Sequence, residues 1–182
     1  MTIMHRVCVL AIVVGFLELS LAASQGTSDV PDCFKVFENF PFAVGISDVN
    51  NDTIYECLTT KRAWLDMDTK TGEYVWLLKG HKHHPRKTIP FYVAEGDSPD
   101  TFRFMEGSAD APAKVGQCYY SDYKTCTVVE MPYHGRLCTL WAAETERDKL
   151  PQECLEQFRD HCGVGIPLYN KDLCADSEVM NW

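Results

Sequence analysis

From Phe42 to Ala142 short runs rich in apolar, aromatic and branched residues are broken by turn-forming clusters, the content of strands. Phe42 to Ser47 is the first predicted strand, Asp48 to Asp52 a turn, and Thr53 to Ala63 the second strand. After a turn at Asp66 to Gly72, the run Glu73 to Lys79 carries Tyr74, Val75, Trp76, Leu77 and Leu78, content that suits a pleated surface. Thr88 to Ala94 and Thr101 to Met105 continue the meander. Val115 to Tyr120, Thr125 to Met131 and Arg136 to Ala142 then form two tight hairpins, turning at Asp122 and at His134-Gly135. About eight strands at regular spacing is the count of a small closed barrel with room for one ligand.

Two segments follow a helical period instead. Pro31 to Phe40 begins with Asp32 in an N-cap position and repeats Phe34, Phe37 and Phe40. This predicts a short helix or 3-10 turn that acts as a plug at the base of some larger element, ended by Pro41. Pro151 to Cys162 puts Cys154, Leu155, Phe158 and Cys162 on one face, and Glu153, Glu156, Arg159 and Asp160 on the other. Pro151 suits the first turn and Gly163 the position after the last. The expected fold class is all-β: an eight-stranded antiparallel barrel with a short N-terminal helix and a C-terminal helix against its wall.

The start of the chain reads differently. His5 and Arg6 precede the apolar run Val7 to Phe16, and small residues up to Ala22 and Ala23 offer a cleavage site. Glu18 interrupts the run, which is too short for a membrane anchor. Residues 1–23 are therefore expected to be a cleaved signal peptide, and 24–182 a single secreted domain with no membrane partner. Cleavage removes Cys8 and leaves Cys33, Cys57, Cys118, Cys126, Cys138, Cys154, Cys162 and Cys174. An even set in an oxidising compartment reads as four disulfides, although spacing alone allows on the order of a hundred connectivities. No CxxC pair supports zinc.

Composition narrows the function further. The net charge of −9 argues against nucleic acid and anionic membrane surfaces. There is no GxSxG, HExxH or Gly-rich phosphate loop, and paired cysteines supply no nucleophile. The expectation is a non-enzyme without cofactor or metal, acting as a monomer.

Strand parity orients the side chains. If Cys126 bonds to the helix it points outward with Val128 and Glu130, so Thr127, Val129 and Met131 face the cavity. The same logic puts Cys138 and Leu140 outside, and Thr139 and Trp141 inside. Cys118 and Cys138 lie on strands that flank a third, too far apart to pair.

The tail Cys126-Thr-Val, Cys138-Thr-Leu-Trp141, Pro151-Gln-Glu-Cys154, Phe158, Cys162-Gly163 and Cys174 closely resembles that of the tick salivary lipocalins, the histamine-binding-protein family. The resemblance is specific over about sixty residues, and Cys57 and the upstream meander are compatible with it. It implies the bridges Cys57–Cys174, Cys126–Cys154 and Cys138–Cys162, and leaves Cys33–Cys118 as the fourth. It also implies an eight-stranded lipocalin barrel with a disulfide-anchored C-terminal helix. The implied function is scavenging of host mediators: histamine or serotonin, eicosanoids, sterols or fatty acids. Some members of the family instead bind host proteins such as complement.

One departure from the family pattern is informative. Amine-binding members carry acids where this chain has Thr127 and Thr139. A buried ammonium needs a carboxylate partner, which Glu56, Glu73 or Asp66 would have to supply from other strands. A lipid or eicosanoid-type ligand is therefore favoured over a biogenic amine, with a protein-binding scaffold as the rival class. In that scaffold Gly80–Lys87 or Asp97–Thr101 would make the contacts.

Tyr74, Trp76, Phe102 and Phe104 either line the cavity or fill the core. If Phe102 and Phe104 pack outward, Arg103 points inward and could pair with a ligand carboxylate; otherwise it faces solvent. His81-Lys-His83-His84-Pro85 reads as a solvated loop rather than a metal clip, having no acidic neighbour to orient its rings. Asn51-Asp-Thr53 is a glycosylation sequon in a predicted surface turn.

Overall fold

Strands form where the apolar and branched runs lie between turn clusters. The computed structural model describes residues 30–50, 53–79 and 86–174. Its strands are β1 (Phe42–Asp48), β2 (Thr59–Asp66), β3 (Thr71–Leu78), β4 (Lys87–Glu95), β5 (Thr101–Glu106), β6 (Lys114–Ser121), β7 (Cys126–Met131) and β8 (Leu137–Ala143). Each pairs antiparallel with its neighbours in chain order, and β1 closes the barrel by pairing with both β8 and β2. A ninth two-residue strand, β9 (Ile166–Pro167), takes up the end of β1 at Ser47 and Asp48, beyond the reach of β2.

One end of the barrel is closed by α1 (Cys33–Asn39). Asp32 caps it, its Oδ1 accepting from the amides of Phe34 at 2.8 Å and Lys35 at 3.1 Å. At the other end of α1 the Arg62 guanidinium donates to the carbonyls of Phe37 and Glu38 at 3.1 and 3.0 Å. A cation satisfying late helical carbonyls is favoured by both hydrogen bonding and the helix dipole.

The second helix, α2 (Gln152–Cys162), lies across the outer face of β7 and β8. Cys126, Val128, Cys138 and Leu140 point out from the wall and bury against Cys154, Phe158 and Cys162. Leu155, expected on that face, is exposed instead. Gly163 ends the helix at φ 96°, a left-handed conformation that suits glycine. Arg136 ties the β7–β8 hairpin to this end of α2, donating to the carbonyls of His161 and Cys162 while pairing with Glu130 at 2.7 Å.

The bridges are Cys33–Cys118, Cys57–Cys174, Cys126–Cys154 and Cys138–Cys162, with Cα separations of 5.8, 5.4, 6.1 and 5.7 Å. They join α1 to β6, the loop before β2 to the short helix α3 (Lys171–Cys174), and α2 to β7 and β8.

One strand expectation fails. Thr53 to Ala63 does not run as one strand: Thr53–Tyr55 is a 3-10 turn, Cys57 adopts φ 56°, and the ladder starts at Thr59. The left-handed backbone at Cys57 breaks the extended run, so pairing with β3 begins only beyond it. The predicted signal peptide, Asn51 of the sequon and the His81 to Pro85 loop lie outside the described residues.

Bridge loop lengths order the stability effects. Removing Cys57–Cys174, which spans 117 residues, should cost about 5 kcal/mol in the chain-entropy model. Removing Cys138–Cys162, which spans 24, should cost about 3 kcal/mol. Urea unfolding of the two double Cys→Ala variants checks this; equal losses would show that native-state packing outweighs chain entropy.

Candidate functional site

Period two turns one side chain in two toward the barrel axis. Tyr74 and Trp76 of β3, Phe91 and Val93 of β4, and Phe102 of β5 enter from one side. Thr127, Val129 and Met131 of β7 and Trp141 of β8 enter from the other. Ala43 of β1 and Thr60 of β2 complete the wall, and Val36, Phe37 and Phe40 of the α1 plug form the floor. Together they enclose a cavity of about 70 Å³.

Rings occupy most of the interior. Trp76 packs on Phe91 at 4.6 Å between centroids and on Trp141 at 5.7 Å. Phe37 meets Phe102 edge-on at 5.2 Å and Tyr74 at 5.3 Å. An apolar cavity of ~150 Å³ admits benzene. The space left here is smaller, so a ligand enters only as aromatic side chains change rotamer.

No lining side chain among the described residues carries a charge. The Thr127 hydroxyl donates to the Tyr120 carbonyl at 2.8 Å. The Tyr74 phenol donates to the carbonyls of Phe37 and Phe40, and burial raises its pKa far above the usual tyrosine range. It therefore stays a neutral donor tied to the floor. Thr60 Oγ1 is buried without a hydrogen-bond partner.

The end opposite the plug is covered by aromatic side chains from loops. Tyr133, on the β7–β8 hairpin, is 2% exposed and packs edge-on against Phe91 at 5.1 Å and Trp76 at 5.6 Å. Its hydroxyl donates to Glu106 Oε1 at 3.0 Å. Burial first, then the Glu106 hydrogen bond and charge, push the phenol well above the tyrosine range, so it remains a donor. Tyr55 covers Trp76 from the β1–β2 loop at 6.3 Å. Beyond this layer Phe104, Glu106, Ala111, Pro112 and Lys114 line an outer pocket of about 210 Å³.

Seven of the sequence-expected residues meet in the inner cavity: Trp141, Thr127, Val129, Met131, Tyr74, Trp76 and Phe102. Thr139 is fully buried opposite Val129 but does not line the space. Phe104 is buried and borders the outer pocket instead. Of the two orientations open to Arg103 the structure has the outward one, against a role on the cavity wall: Phe102 and Phe104 both turn inward, so period two sends Arg103 to the surface, where its Nε donates to the Glu95 carbonyl at 3.0 Å. Sequence reasoning misses Thr60, Phe91, Val93 and Tyr133. The alternation of Ile89, Phe91 and Val93 is a signal that identifies two of them. The one cluster of potential metal ligands among the described residues, Asp122 with Cys126 and Cys154, has both cysteines in a disulfide and holds no metal site.

A family model described as tick histamine binding protein matches residues 39–175. No curated protein matches the chain by sequence. Among solved structures it is similar to AM182 in complex with serotonin, with TM-score 0.55 and 14% identity over 76% of this chain and 89% of that one. Japanin from Rhipicephalus appendiculatus bound to cholesterol aligns at TM-score 0.53 and 14% identity, covering 70% and 90%. Lobster apocrustacyanin A1 aligns at 0.54 and 10% identity, covering 79% and 87%. At these identities the likeness is one of fold, the lipocalin-like barrel.

The cover over Trp76 and Phe91 gives a direct expectation. Tyr133→Phe keeps the ring and removes the bond to Glu106, so stability should fall by about 1 kcal/mol. Acrylamide quenching of tryptophan emission should rise as the cover loosens. Unchanged quenching would mean that ring packing alone holds the mouth shut.

Proposed function

The chain belongs to the tick histamine-binding protein family, and on that premise we propose that it is a secreted carrier which sequesters one small host mediator in its barrel cavity, without chemistry. The observation that carries this reading is the lining, aromatic and aliphatic with two threonines and no carboxylate among the described residues. The part of the ligand that enters is therefore uncharged and largely apolar, as in a lipid or eicosanoid-type molecule. Each ~100 Å² of apolar ligand surface removed from water contributes about 2.5 kcal/mol. The four disulfides support an extracellular setting.

A biogenic amine is the second reading, and the ring faces of Trp76, Trp141 and Phe91 favour it. Cation–π attraction supplies about 0.5–2 kcal/mol. Desolvating an unpaired ammonium costs several kcal/mol, so rings alone leave the balance unfavourable. AM182 is solved with serotonin and japanin with cholesterol, so both ligand classes occur on this fold.

Titration of the secreted protein with arachidonate should change tryptophan emission saturably, and histamine or serotonin should not at neutral pH. Trp141→Ala should weaken arachidonate at least tenfold. Micromolar amine binding with no arachidonate response would overturn the apolar reading. Retention of a serum protein with no small ligand bound would overturn the carrier reading altogether. Thr127→Asp, which places a carboxylate on the cavity wall, should raise histamine affinity about tenfold by calorimetry. No gain would show that a lone anion at this position does not create an amine site.

A further inference from the structure

We infer that Thr60 is the cavity's recognition point for a hydroxyl group, so that the ligand is an apolar molecule carrying an uncharged alcohol or phenol on the part that enters the barrel. The inference rests on the carrier reading above and narrows its ligand class. Thr60 lies on β2 between Ala43 of β1 and Trp76 of β3, its register partners, and all three line the cavity. The residue is 7% exposed, and its Oγ1 is fully buried with no hydrogen-bond partner.

A buried hydroxyl left unpaired loses its bonds to water and gains none in return, so such groups are uncommon in folded proteins without a reason. The other hydroxyls on the lining are committed, Thr127 to the Tyr120 carbonyl and Tyr74 to the α1 carbonyls. A water at Thr60 would find few of the two to four polar partners it needs, because Ala43 presents a methyl and the Trp76 indole offers at most one N–H. A ligand hydroxyl supplies what is missing, since two hydroxyls can each donate to or accept from the other. The ligand's carbon skeleton would at the same time meet Trp76 and Trp141. An ammonium gains less here, because a neutral hydroxyl is no counter-ion.

Naphthalene and 2-naphthol, which differ by one hydroxyl, test the assignment through quenching of tryptophan emission. The parent chain should bind 2-naphthol about tenfold more tightly than naphthalene. Thr60→Val, close in shape, should weaken 2-naphthol alone and abolish the preference, with retained naphthalene binding reporting an intact cavity. Thr60→Ser should keep the preference. Binding of both probes with a ratio unaltered by Thr60→Val overturns the role of Thr60 and leaves the carrier reading standing. Failure of both probes to bind the parent chain overturns this assignment, and the carrier reading falls with it only if arachidonate and the amines fail to bind as well.

Discussion

The covalent anchorage of α2 to the barrel wall is the constraint on which the rest depends. Cys126–Cys154 and Cys138–Cys162 fix which face of β7 and β8 turns outward. Because side chains alternate, that choice also fixes which residues look inward. A one-residue slip would drive Thr127, Val129 and Trp141 into the helix interface and Cys126 and Cys138 into the cavity. Two cores therefore share these strands: a small disulfide-rich one under α2, and a large aromatic one inside the barrel.

That arrangement explains what is legible in advance. Parity from Cys126 and Cys138 reaches Thr127, Val129, Met131 and Trp141 because the cysteines mark the opposite face of the same strands. On β5 no such marker exists, so the sequence leaves Arg103 and its phenylalanine neighbours open to either orientation, and only the structure places the rings inside. Thr60 is hidden for a different reason. The run from Thr53 reads as one strand, whereas the backbone turns at Tyr55 and Cys57 before pairing begins at Thr59. Tyr133 belongs to a hairpin tip, where no periodicity predicts burial.

The interior resolves the choice between space and filling mostly toward filling. Aromatic residues from β3, β4, β5 and β8 meet in the middle and leave about 70 Å³. Such packing stabilises the empty protein and leaves little pre-formed volume, so ligand affinity is the attraction between ligand and wall less the ring packing that the ligand displaces. Gly116 shows how tightly the rings are placed: a methyl group there would overlap the ring of Phe102, its register partner. Selectivity in this site depends on which rings can move as much as on which atoms meet the ligand.

The tie between the β7–β8 hairpin and α2 bears on time as well as on affinity. Arg136 joins the hairpin to the end of the helix, and Cys138–Cys162 joins its strand to the same turn. The loop that carries Tyr133 is thus held at its base, and with it the ring placed over Trp76 and Phe91. Rotation of a buried, hydrogen-bonded ring lengthens the residence of whatever lies behind it. In a carrier of the proposed kind, the Tyr133 ring and its hydrogen bond to Glu106 bear on how long a ligand stays as well as on how tightly it binds.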